Sequence, residues 1–220
     1  MYELRFDRDF DSEFHWNRRK KDNVNEIFKL MQHLYAFDEY KAETALVAGS
    51  KGDAAELIYD LNFYHAFRNT DEGFHVLEVG SAINFFDRGG GTKVVLVHNH
   101  PECTNFSSFD VYTFILCDCV CEMYLDSGDK VWYLRKHHDA YLDENAKENA
   151  KLTYDRILSE ISKSRLKDFL AIDNEKGITN CEKRKRRDKL YSEIRGETFR
   201  KAREQGAIKA RLYPIKKNIL

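Results

Sequence analysis

The residue pattern predicts an α/β (α+β) fold over 1–138, followed by a charged helical extension over 139–220. Two observations carry this. In the first part, short apolar runs rich in β-branched residues alternate with amphipathic stretches at helical spacing. Beyond residue 138 the chain becomes long, charge-rich and helical in pattern, with one glycine-containing break near 174–180.

The elements follow in order. Tyr2 to Phe6 has strand character. From Asn23 to Ala36 the apolar residues Val24, Ile27, Phe28, Leu30, Met31, Leu34 and Tyr35 recur at helical spacing, which predicts an amphipathic helix. Thr44 to Ala48 reads as a short buried strand, and the turn GSKGD leads to a second strand near Ala55 to Leu61. Ser81 to Phe86 reads as a helix closed by Gly89, Gly90 and Gly91; no G-x-x-x-x-G-K-[ST] follows, so these glycines read as a connection and not a phosphate loop. Val94 to His98 is a central strand. Ser107 or Ser108 can cap a helix over Phe109 to Leu116. Cys119 to Leu125 and Lys130 to Leu134 flank the turn DSGD as a hairpin. Asp139 to Phe169 and Cys181 to Ala210 complete the reading as two long helices.

Composition narrows the class. With 220 residues, 42% of them hydrophobic, and 15 Phe and 12 Tyr, the chain can bury a substantial core and is not of the disordered class. No apolar run approaches the ~20 residues that cross a bilayer, and the charged N-terminal segment has no apolar signal region, so a cytoplasmic location is expected. The five cysteines, Cys103, Cys117, Cys119, Cys121 and Cys181, are odd in number and form neither a disulfide framework nor a C-x-x-C pair. The cluster CDCVC reads as small apolar packing, with a thiolate metal site as the other reading if all three share a strand face. The net charge of −1 conceals an asymmetry: residues 179–220 hold 14 Lys and Arg against 5 Asp and Glu, leaving 22 against 32 before them.

The run VLVHNHPECTNFSSFD carries the chemistry. On an extended strand, residues two apart point to the same face, so His98 and His100 can aim at one point. Asp110, in the first turn of the following helix, can add a carboxylate oxygen. Two imidazoles and one carboxylate with a fourth position open to water describe a catalytic zinc site, in which the water's pKa falls to about 7. Amide hydrolysis also needs a general base and a donor for the oxyanion. Ser107 is placed for the second task, or is a plain helix cap, or both. Glu43, just ahead of the strand TALVA, is the chosen base, with Glu56 and Glu78 as competitors.

H-x-H-P followed by S-x-x-D, with a distant Glu, resembles the motif of the JAB/JAMM (MPN) metalloprotease family, and VVLVHNHP is most similar to its RadC-like branch. The resemblance spans residues 20–136. It implies a three-layer domain with a curved mixed sheet between helices, Zn2+ held by His98, His100 and Asp110, Glu43 as base and Ser107 at the oxyanion. It further implies a metallopeptidase or isopeptidase acting on a protein or peptide substrate, including ubiquitin-like conjugates. Two departures stand out. The stretch from His100 to Asp110 is one residue shorter than the family's usual spacing, and ETALVAG meets the family's E-x-x-G-x-L-x-G only loosely.

A second class of function attaches to the C-terminal segment. Lys183, Arg184, Lys185, Arg186 and Arg187 form a basic cluster on a helical pattern, as expected for a RadC-like protein that binds DNA or RNA through phosphate contacts. The other reading is a solvated helix face docked on acidic groups of the same chain. A non-catalytic binding module is a third, disfavoured by the intact His98, His100 and Asp110.

Overall fold

The computed structural model describes residues 2–16, 18–36, 44–51, 62–68, 92–100, 105–128, 130–137, 139–141 and 143–219. In chain order the elements are β1 (Tyr2–Arg5), α1 (Arg8–Phe14), α2 (Arg18–Ala36), β2 (Thr44–Lys51), β3 (Asn62–Arg68), β4 (Thr92–Asn99), α3 (Ser108–Leu116), β5 (Val120–Ser127), β6 (Lys130–Lys136), α4 (Glu144–Ser164), α5 (Leu166–Asn174), α6 (Asn180–Glu204) and β7 (Ala210–Ile219). The α/β class is as expected.

The chain forms two compact units that interleave along the sequence, where a single cut at residue 138 was expected. One comprises Met1–Cys103, Cys117–Lys136 and Arg211–Leu220; the other comprises Thr104–Leu116 and His137–Ala210.

The first unit is built on a curved mixed sheet of seven strands in the order β1-β7-β6-β5-β4-β2-β3. β4 runs parallel to β5, while β1–β7, β2–β3, β2–β4 and β5–β6 are antiparallel. Asp7 caps α1 by accepting from the Phe10 N–H at 2.9 Å, and His15 in the left-handed region ends it. Phe10 and Phe14, one turn apart, then face the sheet with Val24 and Phe28 of α2. They join Val95, Val97, Tyr124, Val131, Tyr133 and Ile215 in one buried cluster. Each large side chain so buried contributes about 2–3 kcal/mol.

A register step between β4 and β5 decides which residues share that face. Val94 stands opposite Val120 but Val95 opposite Glu122, so Cys121 is the extra residue of a bulge. Glu122 and Tyr124 therefore lie on the face of Val95 and Val97, whereas Met123 and Leu125 share the other face with Leu96 and His98. The condition for a thiolate site in CDCVC, three cysteines on one strand face, is not met, and Cys119 and Cys121 are buried as the apolar-packing reading has them. Cys117 and Cys119 precede β5, and only Cys121 lies in it.

The bulge also brings an acid into the core. Glu122 is fully buried and pairs with the buried Lys20 Nζ at 3.2 Å, which lies 4.1 Å from the Trp16 ring centre. Burial pushes the Lys20 amine pKa down, and the Glu122 charge opposes that shift.

In the second unit, α4 and α6 pack together through buried Tyr154, Ile157, Ile161, Leu190, Ile194 and Phe199. Asp143 caps α4 and Thr179 caps α6 through side-chain acceptors. The expected helix over Asp139 to Phe169 is two helices, α4 and α5, broken at Arg165.

The helical extension to residue 220 is corrected. α6 ends at Glu204, and Gly206 takes φ +73, a backbone conformation that releases the chain from the helix. Residues Ala210–Ile219 then return as β7 of the sheet. The strand expected near Ala55 to Leu61 and the helix over Ser81 to Phe86 lie outside the described residues. The described partner of β2 in the hairpin is β3, at Asn62–Arg68. No helix among the described residues is long and apolar enough to cross a membrane.

Candidate metal centre

The β4 strand delivers His98 as its alternation requires. His98 stands opposite Ala45 of β2 on one side and Leu125 of β5 on the other, so its backbone is fixed by the ladder on both edges. His100 follows the end of β4, and its N–H donates to the Asp126 carbonyl at 2.9 Å. The two rings lie 5.0 Å apart, centre to centre, at 67°.

Asp110 is positioned by the helix it opens. Its Oδ2 accepts from the Ser107 N–H at 2.6 Å and from the Ser107 hydroxyl at 2.7 Å, while the Asp110 N–H donates back to Ser107 Oγ at 3.2 Å. This reciprocal cap orients the carboxylate and satisfies helix donors at once. Ser107 thus has the capping role given to it as one of two alternatives.

The segment before α3 is itself anchored within its unit. Asn105 Nδ2 donates to the Ser192 carbonyl at 3.1 Å, and Phe106 stacks on Phe199 at 5.5 Å. Gly196 faces Asn105 so closely that a Cβ there would sit 2.8 Å from Asn105 Nδ2. Tyr112 Oη donates to Asp155, which ties α3 to α4.

His98, His100 and Asp110 form one group, each offering a ligand atom within 4.8 Å of the others. All three are buried, at 2%, 8% and 6% exposure. The donor set fits a divalent transition metal: imidazole nitrogens and a carboxylate oxygen are what zinc takes. Among the described residues, this is the one group of three His, Cys, Asp or Glu side chains close enough to hold a metal ion.

The other named residues fall as follows. Glu43, Glu56, Glu78 and Cys103 lie outside the described residues. The strand that begins just after Glu43 is indeed the antiparallel neighbour of the histidine strand. In the basic cluster, the Lys183 amine donates to the Asp173 carbonyl at 2.6 Å and Arg184 lies 3.9 Å from Asp188. Arg186 pairs with Glu175 at 2.7 Å and with Glu182 at 3.2 Å, and Arg187 Nε donates to Asp173 at 2.7 Å. Lys185 is exposed. The cluster mainly ties α6 to the end of α5.

Sequence reasoning missed Asp126. The carbonyl that holds His100 is a backbone group, and only the pairing of β4 with β5 reveals it.

Comparison of the chain with family models, curated proteins and solved structures gave no match.

Proposed function

We propose that the protein is a zinc-dependent hydrolase of the JAB/JAMM type that cleaves a peptide or isopeptide bond. The convergence of His98, His100 and Asp110 at a buried point carries this reading. These three residues would hold the ion. Zinc bound there supplies Lewis acidity, making a water more acidic and polarising a substrate carbonyl.

The chain's own groups do the rest. The Ser107 hydroxyl keeps one oxygen of Asp110 oriented, and a carboxylate has a second oxygen to offer as a ligand. As substrate charge develops, that hydroxyl would turn its single proton from Asp110 to the oxyanion, while the Ser107 N–H goes on holding Asp110 Oδ2. Glu43 is the proposed general base, taking a proton from water and returning it to the leaving amine. The register of β2, with Ala45 opposite His98, supports a base carried at that end of the strand. The nucleic-acid reading is weaker, because Lys183, Arg186 and Arg187 already engage acidic groups or a carbonyl of their own unit.

The test begins with metal content. Elemental analysis should find about one zinc per wild-type chain and none in the His98→Ala/His100→Ala double variant. Cleavage of isopeptide-linked ubiquitin-like conjugates should stop with a chelator and return with zinc. Glu43→Gln should abolish cleavage while keeping the metal. Absence of metal from zinc-supplemented wild type would sink the proposal.

A further inference from the structure

His98 and His100 are not held alike. His98 lies inside β4 with a ladder partner on each side, whereas His100 lies beyond the last residue of that strand. The His100 backbone is fixed by its N–H donating to the Asp126 carbonyl at 2.9 Å.

Asp126 is the next-to-last residue of β5, opposite Asn99 on one side and Val131 on the other. Strand ends fray, so a carbonyl there is a poor anchor unless something else holds it. Here its side chain is held from two further strands. Tyr2 Oη of β1 donates to Oδ2, and Lys217 Nζ of β7 donates to Oδ1. Lys217 also donates to the Gly128 carbonyl at 2.5 Å, in the turn that follows β5, and lies 4.4 Å from the Tyr2 ring centre. Tyr2 is fastened in turn to α2, its N–H donating to Gln32 at 2.7 Å and its carbonyl accepting from Gln32 at 2.9 Å.

From this arrangement we infer that Asp126, pinned by Tyr2 and Lys217, is a positioning residue for His100 and sets the affinity and geometry of the metal centre. The carboxylate faces the clamp and the carbonyl faces the ligand residue. Loosening the first frees the second. The inference rests on the reading of His98, His100 and Asp110 as metal ligands.

A plain structural role would make the Asp126 ion pair matter for stability alone, so the test reads the metal and the His100 backbone directly. Lys217→Met keeps most of the aliphatic stem and removes the charge. Lys217→Arg keeps the charge, and Tyr2→Phe removes the hydroxyl alone. Cobalt(II) and zinc affinity would be measured by chelator competition well below each variant's unfolding temperature, along with the cobalt absorption spectrum. Hydrogen exchange of the His100 amide would be followed in the metal-free protein.

Lys217→Met and Tyr2→Phe should bind metal about 10-fold more weakly, the size of loss that outer partners of a ligand usually cause. Their cobalt bands should shift and their His100 amides exchange faster. Lys217→Arg should resemble wild type. Lys20→Met, which weakens the same unit away from Asp126, should keep the wild-type cobalt spectrum. Wild-type affinity, spectrum and exchange in both Lys217→Met and Tyr2→Phe would overturn the clamp while leaving the metal reading intact. Wild-type protein that binds no cobalt would overturn the metal reading and this inference with it.

Discussion

Lys20→Met tests the packing of the sheet unit most sharply. Lys20 is 4% exposed and Glu122 fully buried, with Nζ and Oε1 3.2 Å apart. Removing the amine leaves the carboxylate in the core with Arg135 Nε no nearer than 3.9 Å and the Tyr124 hydroxyl at 3.4 Å. Stranding one member of a buried pair costs about 3–5 kcal/mol. For a chain of this size that is a fall in Tm of roughly 6–20 °C, at ~2–4 °C per kcal/mol. Urea unfolding followed by tryptophan fluorescence is the assay, because Trp16 and Trp132 both lie in this unit. The double variant Lys20→Met/Glu122→Leu should recover most of the loss, since an apolar pair of similar volume leaves no uncompensated charge. A single variant that loses less than about 1 kcal/mol, or a double variant no better than the single, would refute the reasoning, because a surface pair behaves that way.

Lys136 should make stability depend on pH. Its amine donates to the Cys117 carbonyl at 2.8 Å, and burial pushes its pKa from 10.5 down to about 8, with Asp118 and nearby thiols opposing. Between those two values the unfolded chain binds more protons than the folded one, so the Lys136 contribution should rise with pH across that window and be flat below it. Urea midpoints from pH 7 to 10, compared with Lys136→Met, isolate this slope. Gly196→Ala should be close to neutral in stability: displacing Asn105 loses a hydrogen bond worth about 1 kcal/mol, and alanine regains about 1 kcal/mol of helix propensity. The same variant should nevertheless weaken metal binding if Asn105 steers the segment leading to Asp110, as zinc titration would show. Reversing the charge of Arg186 and Arg187 should loosen α5 against α6, seen as faster amide exchange in α5. A steep, salt-dependent loss of nucleic-acid binding in that variant would instead favour the phosphate-binding reading.

The candidate site was legible because its signals are local. His98 and His100 sit two apart in a β-branched run, and Ser107 and Asp110 sit at cap spacing, so each pair follows from one element's geometry. The hairpin of β5 and β6 was legible for the same reason, with glycine in the turn at φ +63. What stayed hidden depends on distant partners. β7 reads as a helix tail until Gly206 is seen to break α6, and its alternation is masked because Leu212 and Tyr213, half-buried in succession, interrupt it between exposed Arg211 and Pro214. α1 is only seven residues long, too short for periodicity to declare it. The interest of Glu122 and Asp126 arises from a bulge and a strand pairing, neither of which has a residue signature.

The pairing of the first strand with the last has a consequence for how the protein is made. Tyr2 meets Ile219 and Arg5 meets Lys216, so β1 leaves the ribosome long before β7, its sheet neighbour among the described residues, exists. Until β7 arrives, the outer edge of β6 lacks its partner and the aromatic cluster lacks Tyr213 and Ile215. Pairings this distant in sequence form slowly, and an open edge beside exposed aromatic rings invites association with other nascent chains. A chain interrupted before Ala210 would therefore lose more than one strand: it would leave the first strand without its described place in the sheet.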